Sequence, residues 1–142
     1  MMKRQHVKNK KEVQNMALTG YSVEIVQCSN ELSHKERVKI KDTTDAIKLD
    51  EVTQEHEVII NPAMSAVLKV HNEKSENGDY NVYVVVDEDG TKYTTGSESF
   101  WTSFTSIYEE MRDETTEEWA VKAYRVPSKN YKGKDFITCS IQ

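Results

Sequence analysis

The feature that most constrains the fold is a run of β-branched and aromatic residues over positions 80–86. Every second residue from 82 to 86 is valine, a spacing typical of a strand with a buried face. Asp87-Glu-Asp-Gly90 follows directly and favours a tight turn, and residues 91–95 supply a second strand. The chain therefore predicts a β-hairpin at its centre.

Six further segments are strand-like, some by alternation and others by their apolar composition. Residues 29–36 predict a loop, and the acidic stretch 42–57 predicts a loop with one short strand around Ile47 and Leu49. Pro62 excludes an uninterrupted central strand, because proline has no amide hydrogen to donate. The six segments are residues 21–28, 38–41, 58–60, 66–70, 119–126 and 136–141.

The spacing of apolar residues changes over positions 100–111. Five large apolar side chains recur at helical spacing, so they are predicted to lie on the buried face of a helix. Ser97 or Ser99 is predicted to cap its start, and Glu98 suits the positive end of its dipole. The stripe comprises Phe100, Phe104, Ile107, Tyr108 and Met111, with Trp101 at its edge, and Trp119 and Phe136 are predicted to join the same core.

The order of elements predicts the fold class. A chain of 142 residues fits one domain. A mainly β protein whose one helix lies between the third and fourth of five strands has the element order of an OB-fold barrel. We therefore predict an OB-fold domain over residues 17–142, preceded by a flexible basic N-terminal arm over residues 1–16. A ubiquitin-like or other small α+β sheet would also accommodate these elements.

The net charge of −5 is unevenly distributed along the chain. Residues 1–11 carry +5 and residues 119–142 carry +4, whereas residues 12–118 carry −14. Charge segregated in this way can give an acidic protein a basic surface that suits nucleic acid. The alternative is that both basic ends are only solvated.

Composition and motifs exclude several classes of protein. No apolar run approaches the roughly 20 residues that span a bilayer, and the first residues lack the apolar stretch of a secretory signal. Two cysteines are too few for a disulfide scaffold, so a cytoplasmic protein with reduced thiols is expected. The phosphate-loop, nucleophile-elbow and His-Glu-x-x-His motifs are absent from the sequence. We predict that the protein is not an enzyme and needs no cofactor, metal or small-molecule substrate; a metal-dependent nuclease using Asp87 and Asp89 is the alternative.

Basic and aromatic residues are interleaved between Trp119 and Phe136. If residues 121 and 123 face inward, residues 122 and 124 share the outer face of their strand. Lysines neutralise phosphates and tyrosine rings stack on unpaired bases, so the pattern indicates single-stranded nucleic-acid binding with little sequence preference. Taken singly, each residue also fits an ordinary turn or strand. The predicted contacts are Lys122, Tyr124, Lys129, Tyr131, Lys132 and Lys134, with Tyr83, Lys92 and Tyr93 on the central hairpin.

The first eleven residues contain five bases and no acid. We predict that they mediate self-association by contacting the acidic body of a neighbouring subunit, which would join subunits head to tail along a strand. Additional phosphate contacts and disorder without function are the alternatives. The five residues are Lys3, Arg4, Lys8, Lys10 and Lys11.

Two stretches in the C-terminal half resemble a known family. They are Thr95-Gly-Ser-Glu-Ser-Phe-Trp-Thr-Ser-Phe104 and the segment that runs from Trp119-Ala-Val-Lys-Ala-Tyr124 to Phe136-Ile-Thr-Cys139. Both are similar to the PrgE-like OB-fold single-stranded DNA-binding proteins of Gram-positive conjugative plasmids and related phage proteins. The rest of the chain resembles that family only in size and element order.

The resemblance implies a non-enzymatic protein that coats single-stranded DNA beside a conjugative type IV secretion system, with Lys122, Tyr124 and residues 129–134 contacting DNA. One departure from housekeeping single-strand binders is the ending over residues 137–142, which has no acidic tip to recruit enzymes, so neither recruitment nor the usual tetramer is expected. RNA binding stays open because stacking distinguishes the sugars poorly. The rival hypothesis is a protein-interaction module of a mobile element or phage, an inhibitor or assembly factor that uses its acidic surface.

Overall fold

A computed structural model describes residues 20–74, 76, 78–114 and 116–142, and these residues are mainly β. The N-terminal arm predicted over residues 1–16 lies outside the described residues. The helices are α1 (His34–Lys41), α2 (Leu49–Val52) and α3 (Glu98–Met111). The strands are β1 (Tyr21–Cys28), β2 (Ile47–Lys48), β3 (Val58–Ile60), β4 (Pro62–Asn72), β5 (Asp79–Asp87), β6 (Lys92–Thr95), β7 (Val121–Pro127) and β8 (Asp135–Ile141).

The strands form two sheets. The larger has five strands in the order β1-β4-β5-β6-β2, and the smaller has three in the order β3-β7-β8. The pairing of β2 with β6 is parallel and the others are antiparallel. Within the described residues neither sheet closes on itself, so the predicted mainly β class is confirmed and a closed five-stranded barrel is not. The same residues contain eight strands and three helices, whereas the predicted OB-fold barrel has five strands and one helix.

The central hairpin forms where its sequence predicts it. β5 pairs with β6, and the Gly90 amide closes the turn by donating to the Asp87 carbonyl oxygen over 2.8 Å. Gly90 has φ +91°, a conformation that costs glycine little. Val84 and Val85 are 0% and 1% exposed. Since neighbouring residues of a strand point to opposite faces, the large sheet is covered on both sides at this point.

β3 and β4 are two parts of one bent segment. Only Asn61 separates them, and Pro62 begins β4, so the predicted interruption at the proline is confirmed. β3 pairs with β7, whereas β4 pairs with β1 and β5, so the bend passes the chain from one sheet to the other. The Asn61 amide donates to Asp87 Oδ2 over 2.9 Å, and its carbonyl oxygen accepts from the Glu88 amide over 2.9 Å. The turn after β5 thus satisfies the backbone at the break.

Helix α1 replaces the loop and strand predicted before residue 42. Ser33 Oγ accepts a hydrogen bond from the Glu36 amide, and the Glu36 carboxylate accepts one from the Ser33 amide. This capping box begins the helix, and its hydrogen bonds lower the pKa of Glu36. The prediction of a strand over residues 38–41 is wrong. With only two apolar residues, the segment does not distinguish the period of two of a strand from the period of 3.6 of a helix. Ile40 is buried and Val38 is 68% exposed.

Helix α3 supplies the largest side chains of the main core. Phe100 and Phe104 are fully buried, as the helical stripe predicts. Ser97 caps the helix by accepting from the Phe100 amide over 3.2 Å. The two phenylalanines pack with residues from both sheets and from α2: Leu49, Val58, Ile60, Val85, Val121, Ala123, Ile137 and Cys139. A smaller core lies on the opposite face of the large sheet and contains Ile40, Ala66, Leu68 and Val84.

Helix α3 also covers the outer edge of β8. The Ser99 hydroxyl donates to the Ile137 carbonyl oxygen over 2.8 Å, and Ser103 Oγ lies 2.9 Å from Thr138 Oγ1. A carbonyl oxygen at the edge of the sheet is thereby satisfied by a side chain. The edge is consequently blocked to a further strand.

Candidate nucleic-acid interface

The predicted interface centres on the outer face of the three-stranded sheet. Val121 and Ala123 of β7 are fully buried, so Lys122 and Tyr124 lie on the opposite, outer face, as the alternation predicts. Ile59 of β3 is the register partner of Lys122, and it is 42% exposed. This face therefore presents a cation, a ring and an aliphatic side chain together.

Two neighbours hold Tyr124 in place. Its hydroxyl oxygen lies 2.6 Å from Ser140 Oγ, and Lys122 Nζ lies 5.3 Å from the centroid of its ring. Lys122 Nζ is also 3.7 Å from the Glu57 carboxylate. Because this ion pair is partly exposed, water and salt screen it. Lys122 is thus a partly compensated cation beside a positioned ring.

The loop of residues 128–134, between β7 and β8, carries uncompensated positive charge. The Ser128 amide donates to the Lys134 carbonyl oxygen over 2.9 Å, and Gly133 turns the chain at φ +83°. Tyr131 lies within the loop and is 66% exposed. The three lysines of the loop are exposed and form no ion pair with any described residue; they are Lys129, Lys132 and Lys134.

Phe136 belongs to the same surface, although the sequence predicts it in the core. Ile137 and Cys139 are buried, so the alternation of β8 turns Phe136 outward, where it is 39% exposed. It lies opposite Val126 of β7, two residues beyond the lysine loop. The alternation of Phe136 with Ile137 and Cys139 along β8 is the signal that would have identified Phe136 as an outward-facing residue. We call the combined set the lysine–aromatic surface: Lys122, Tyr124, Lys129, Tyr131, Lys132, Lys134 and Phe136.

Arg125 fixes the base of the lysine loop, a role that its sequence pattern does not indicate. Its guanidinium donates to Asp135 over 2.6 Å, to the Asp50 carbonyl oxygen over 2.6 Å and to Thr53 Oγ1 over 3.2 Å. Asp135 follows the loop directly, and the other two acceptors lie in and just after α2. The Asp135 carboxylate, which follows the loop in sequence, is therefore already paired with Arg125.

Two tyrosines predicted on this surface lie elsewhere. Tyr83 is 7% exposed and stacks on Trp101, with 4.9 Å between ring centroids and 10° between ring planes. Tyr93 packs against the main core on the same side of the large sheet, and burial raises its pKa, with a smaller contribution from the Asp87 and Asp89 carboxylates. Helix α3 covers Tyr83 through Trp101, so that ring is not presented for stacking on a base, and Tyr93 is partly buried against the core.

Lys92, the third hairpin residue predicted to bind nucleic acid, caps a helix instead. Its ammonium donates to the carbonyl oxygens of Lys39 and Asp42, each over 2.5 Å, at the end of α1. A cation at this position is favourable because helix C-termini carry partial negative charge. The five basic residues predicted to mediate self-association, from Lys3 to Lys11, lie outside the described residues.

The acidic turn after β5 has a structural role. Asp87 Oδ1 accepts from the Asp89 amide over 3.0 Å, and Asp89 Oδ1 accepts from the Thr91 amide over 2.8 Å. In the part of the chain that the structure covers, no group of three metal-ligating side chains is placed to hold an ion. None of the helices there is long and apolar enough to cross a membrane.

Comparison of the chain with protein-family models, with curated proteins and with solved structures gave no match. The chemistry of the lysine–aromatic surface is therefore the basis for a functional proposal. Its ammonium groups attract a polyanion, and its rings offer flat apolar surfaces to planar groups.

Proposed function

We propose that the protein binds single-stranded DNA with low sequence specificity and that the lysine–aromatic surface is its binding site. The observation that carries the proposal is the set of three exposed lysines that have no acidic partner among the described residues, next to the exposed rings of Tyr131 and Phe136. The ammonium groups neutralise phosphates, and unpaired bases stack on the rings. A duplex offers the phosphates without free base faces, so single strands are preferred.

The order of elements supports an OB-related arrangement. Helix α3 lies between the β5–β6 hairpin and the β7–β8 pair, and the lysine loop joins the last two strands. In OB-folds the loop between the last two strands is one of the loops that bind oligonucleotides. The resemblance to binders of conjugative plasmids supports a role in coating a plasmid strand, with self-association through residues 1–11 as part of the same proposal.

Fluorescence anisotropy of a labelled oligo-dT of about 30 nucleotides tests this function, since that length covers several OB-fold sites. The protein is titrated at two salt concentrations, with a duplex of equal length and an RNA of equal length as comparisons. We expect binding that favours the single strand and weakens with salt. If the unmodified protein binds no oligonucleotide at low salt, the function is refuted and the protein-interaction module becomes the better hypothesis.

Charge reversal tests the site. Lys129→Glu combined with Lys132→Glu should weaken oligo-dT binding by about tenfold or more, because two phosphate contacts become repulsive. The matched control, Lys35→Glu combined with Lys74→Glu, changes the net charge equally at exposed residues in α1 and in the turn after β4. An equal loss in both variants would show an effect of net charge alone and would contradict the assignment of the site.

A further inference from the structure

A cavity of about 510 Å³ lies at the base of the lysine loop, between the end of β7 and the start of β8. Three of the residues that line it are basic and one is acidic, so the lining has a net charge of +2. A concave site dominated by one sign of charge concentrates ions of the opposite sign. The charged residues of the lining are Arg125, Lys132 and Lys134, with Asp135 as the acid.

Arg125 is the fixed cation of this lining. Its guanidinium donates to Asp135, to the Asp50 carbonyl oxygen and to Thr53, and its side chain is 21% exposed. Asp50 is held in turn, because Thr95 Oγ1 donates to its carboxylate over 2.7 Å. A guanidinium has more N–H groups than these three bonds use, so donors remain for an anion. The position of this cation is therefore set before any ligand binds.

Lys132 and Lys134 are the cations on the loop side of the cavity. Both are exposed, and neither forms an ion pair within the described part of the chain. The Lys134 amide donates to the Tyr131 carbonyl oxygen over 3.1 Å, so a closed turn carries both lysines. Since Asp135 is paired with Arg125, the two ammonium groups are left to neutralise a ligand. Their charge matches that of a phosphate group, which is about −1 in a diester and about −1.5 to −2 in a monoester.

The sign of the charge distinguishes this cavity from the groove between α1 and the central hairpin. That groove is larger, at about 730 Å³, and three acids and two bases line it. Its acids are Glu36, Asp42 and Asp45, so it repels an anion. An anionic ligand therefore favours the smaller cavity, although the groove offers more space.

We propose that the cavity at the base of the lysine loop is a pocket for one phosphate group, which Arg125, Lys132 and Lys134 bind. The source of the phosphate rests on the proposed function: it is a diester within the bound strand or a monoester at its end. A fixed guanidinium contacts the phosphate on one side, and two flexible ammonium groups close over it on the other. Lys129 belongs to the loop but not to the lining of the cavity, so it contacts a different part of the strand.

Titration of the full chain with inorganic phosphate tests the pocket without DNA. In proton–nitrogen NMR spectra at constant ionic strength, amide signals between residues 125 and 135 should shift and saturate, with a dissociation constant on the order of 1–10 mM. Chloride at the same ionic strength is the control and should shift them little. Shifts of equal size around Lys35 and Lys74, on other elements, would show general screening and would overturn the proposal.

Two lysines of the same loop provide matched variants. Lys134→Gln and Lys129→Gln each remove one charge, but of the two only Lys134 lines the cavity. Lys134→Gln should weaken phosphate binding by about fivefold or more, whereas Lys129→Gln should change it by less than about twofold. The same NMR spectra verify that each variant folds. Equal effects of the two substitutions would contradict a pocket at this place.

Oligo-dT with and without a terminal phosphate distinguishes the two sources. If the pocket takes a monoester, the phosphorylated strand should bind about fivefold more tightly, and Lys134→Gln should remove that advantage. If it takes a diester, both strands should bind equally, and Lys134→Gln should weaken both more than Lys129→Gln does. Unchanged binding of both strands by Lys134→Gln would refute the pocket and leave the proposed function standing. Phosphate binding at residues 125–135 without any binding of oligonucleotide would refute the function and leave the pocket standing.

Discussion

Neutralising two loop lysines should change the salt dependence of single-strand binding by a calculable amount. Lys129, Lys132 and Lys134 have no acidic partner among the described residues, whereas Lys122 lies 3.7 Å from Glu57. Each phosphate contact on a single strand contributes about −0.7 to the slope of log affinity against log salt, so three contacts give a slope of about −2. Lys129→Gln combined with Lys132→Gln should leave a slope of about −0.7.

Between about 50 and 200 mM salt, these slopes correspond to an affinity loss of about 20-fold for the unmodified protein and about threefold for the double variant. Anisotropy titrations with oligo-dT over this range measure both slopes. The control, Lys35→Gln combined with Lys74→Gln, should keep the slope of the unmodified protein. An unchanged slope in the loop variant would refute the reasoning, because it would mean that these lysines do not contact phosphates.

Three further predictions concern the rings, the core and the thiols. Tyr131→Ala should cost about 1–3 kcal/mol of oligonucleotide binding, because it removes an exposed ring that can stack on a base. Tyr83→Leu, which also removes a ring, should leave affinity unchanged because Tyr83 is buried against Trp101. Anisotropy titration separates the two variants, and a loss in Tyr83→Leu alone would reverse the assignment. Phe104→Ala should lower the free energy of unfolding in urea by about 3–5 kcal/mol, since Phe104 is fully buried, and a loss below about 1 kcal/mol would contradict its place in the core. Burial raises the pKa of the Cys139 thiol to about 12, so this thiol stays protonated at pH 8. When the folded protein is treated with a thiol reagent, mass spectrometry should therefore find the reagent on the partly exposed Cys28 alone until the protein unfolds. Rapid labelling of Cys139 in the folded protein would refute that environment.

The fold could be predicted where the apolar pattern is long. The strands β1, β5, β7 and β8 and the helix α3 each contain enough residues for a period of two or of 3.6 to be distinguished. Helix α1 has only Val38 and Ile40 as apolar residues, and the capping box of Ser33 and Glu36 decides its structure. The division into two sheets depends on which strands pair across the bend at Asn61, and alternation along one strand contains no information about its partners.

The candidate site could be predicted only in part, because a strand pattern indicates which residues share a face and not which face is covered. Tyr83 and Tyr124 have similar surroundings in sequence, yet α3 packs on Tyr83 and Tyr124 lies on the outer face. Phe136 is an aromatic residue in a strand, which favours a core prediction, and its exposure follows from the buried positions of Ile137 and Cys139.

The bend at Asn61 also determines how ordered the lysine–aromatic surface is before it meets a ligand. The two sheets are joined without a linker, and hinging at Asn61 would break the hydrogen bonds that its amide and carbonyl groups make with the turn after β5. The backbone under Lys122 and Tyr124 is therefore preorganised, so the conformational entropy lost on binding is confined to side chains and the loop of residues 128–134. In the proposed coating of a strand of any sequence, this loss would be the same at every position along the strand, and we expect affinity to be uniform from one subunit to the next.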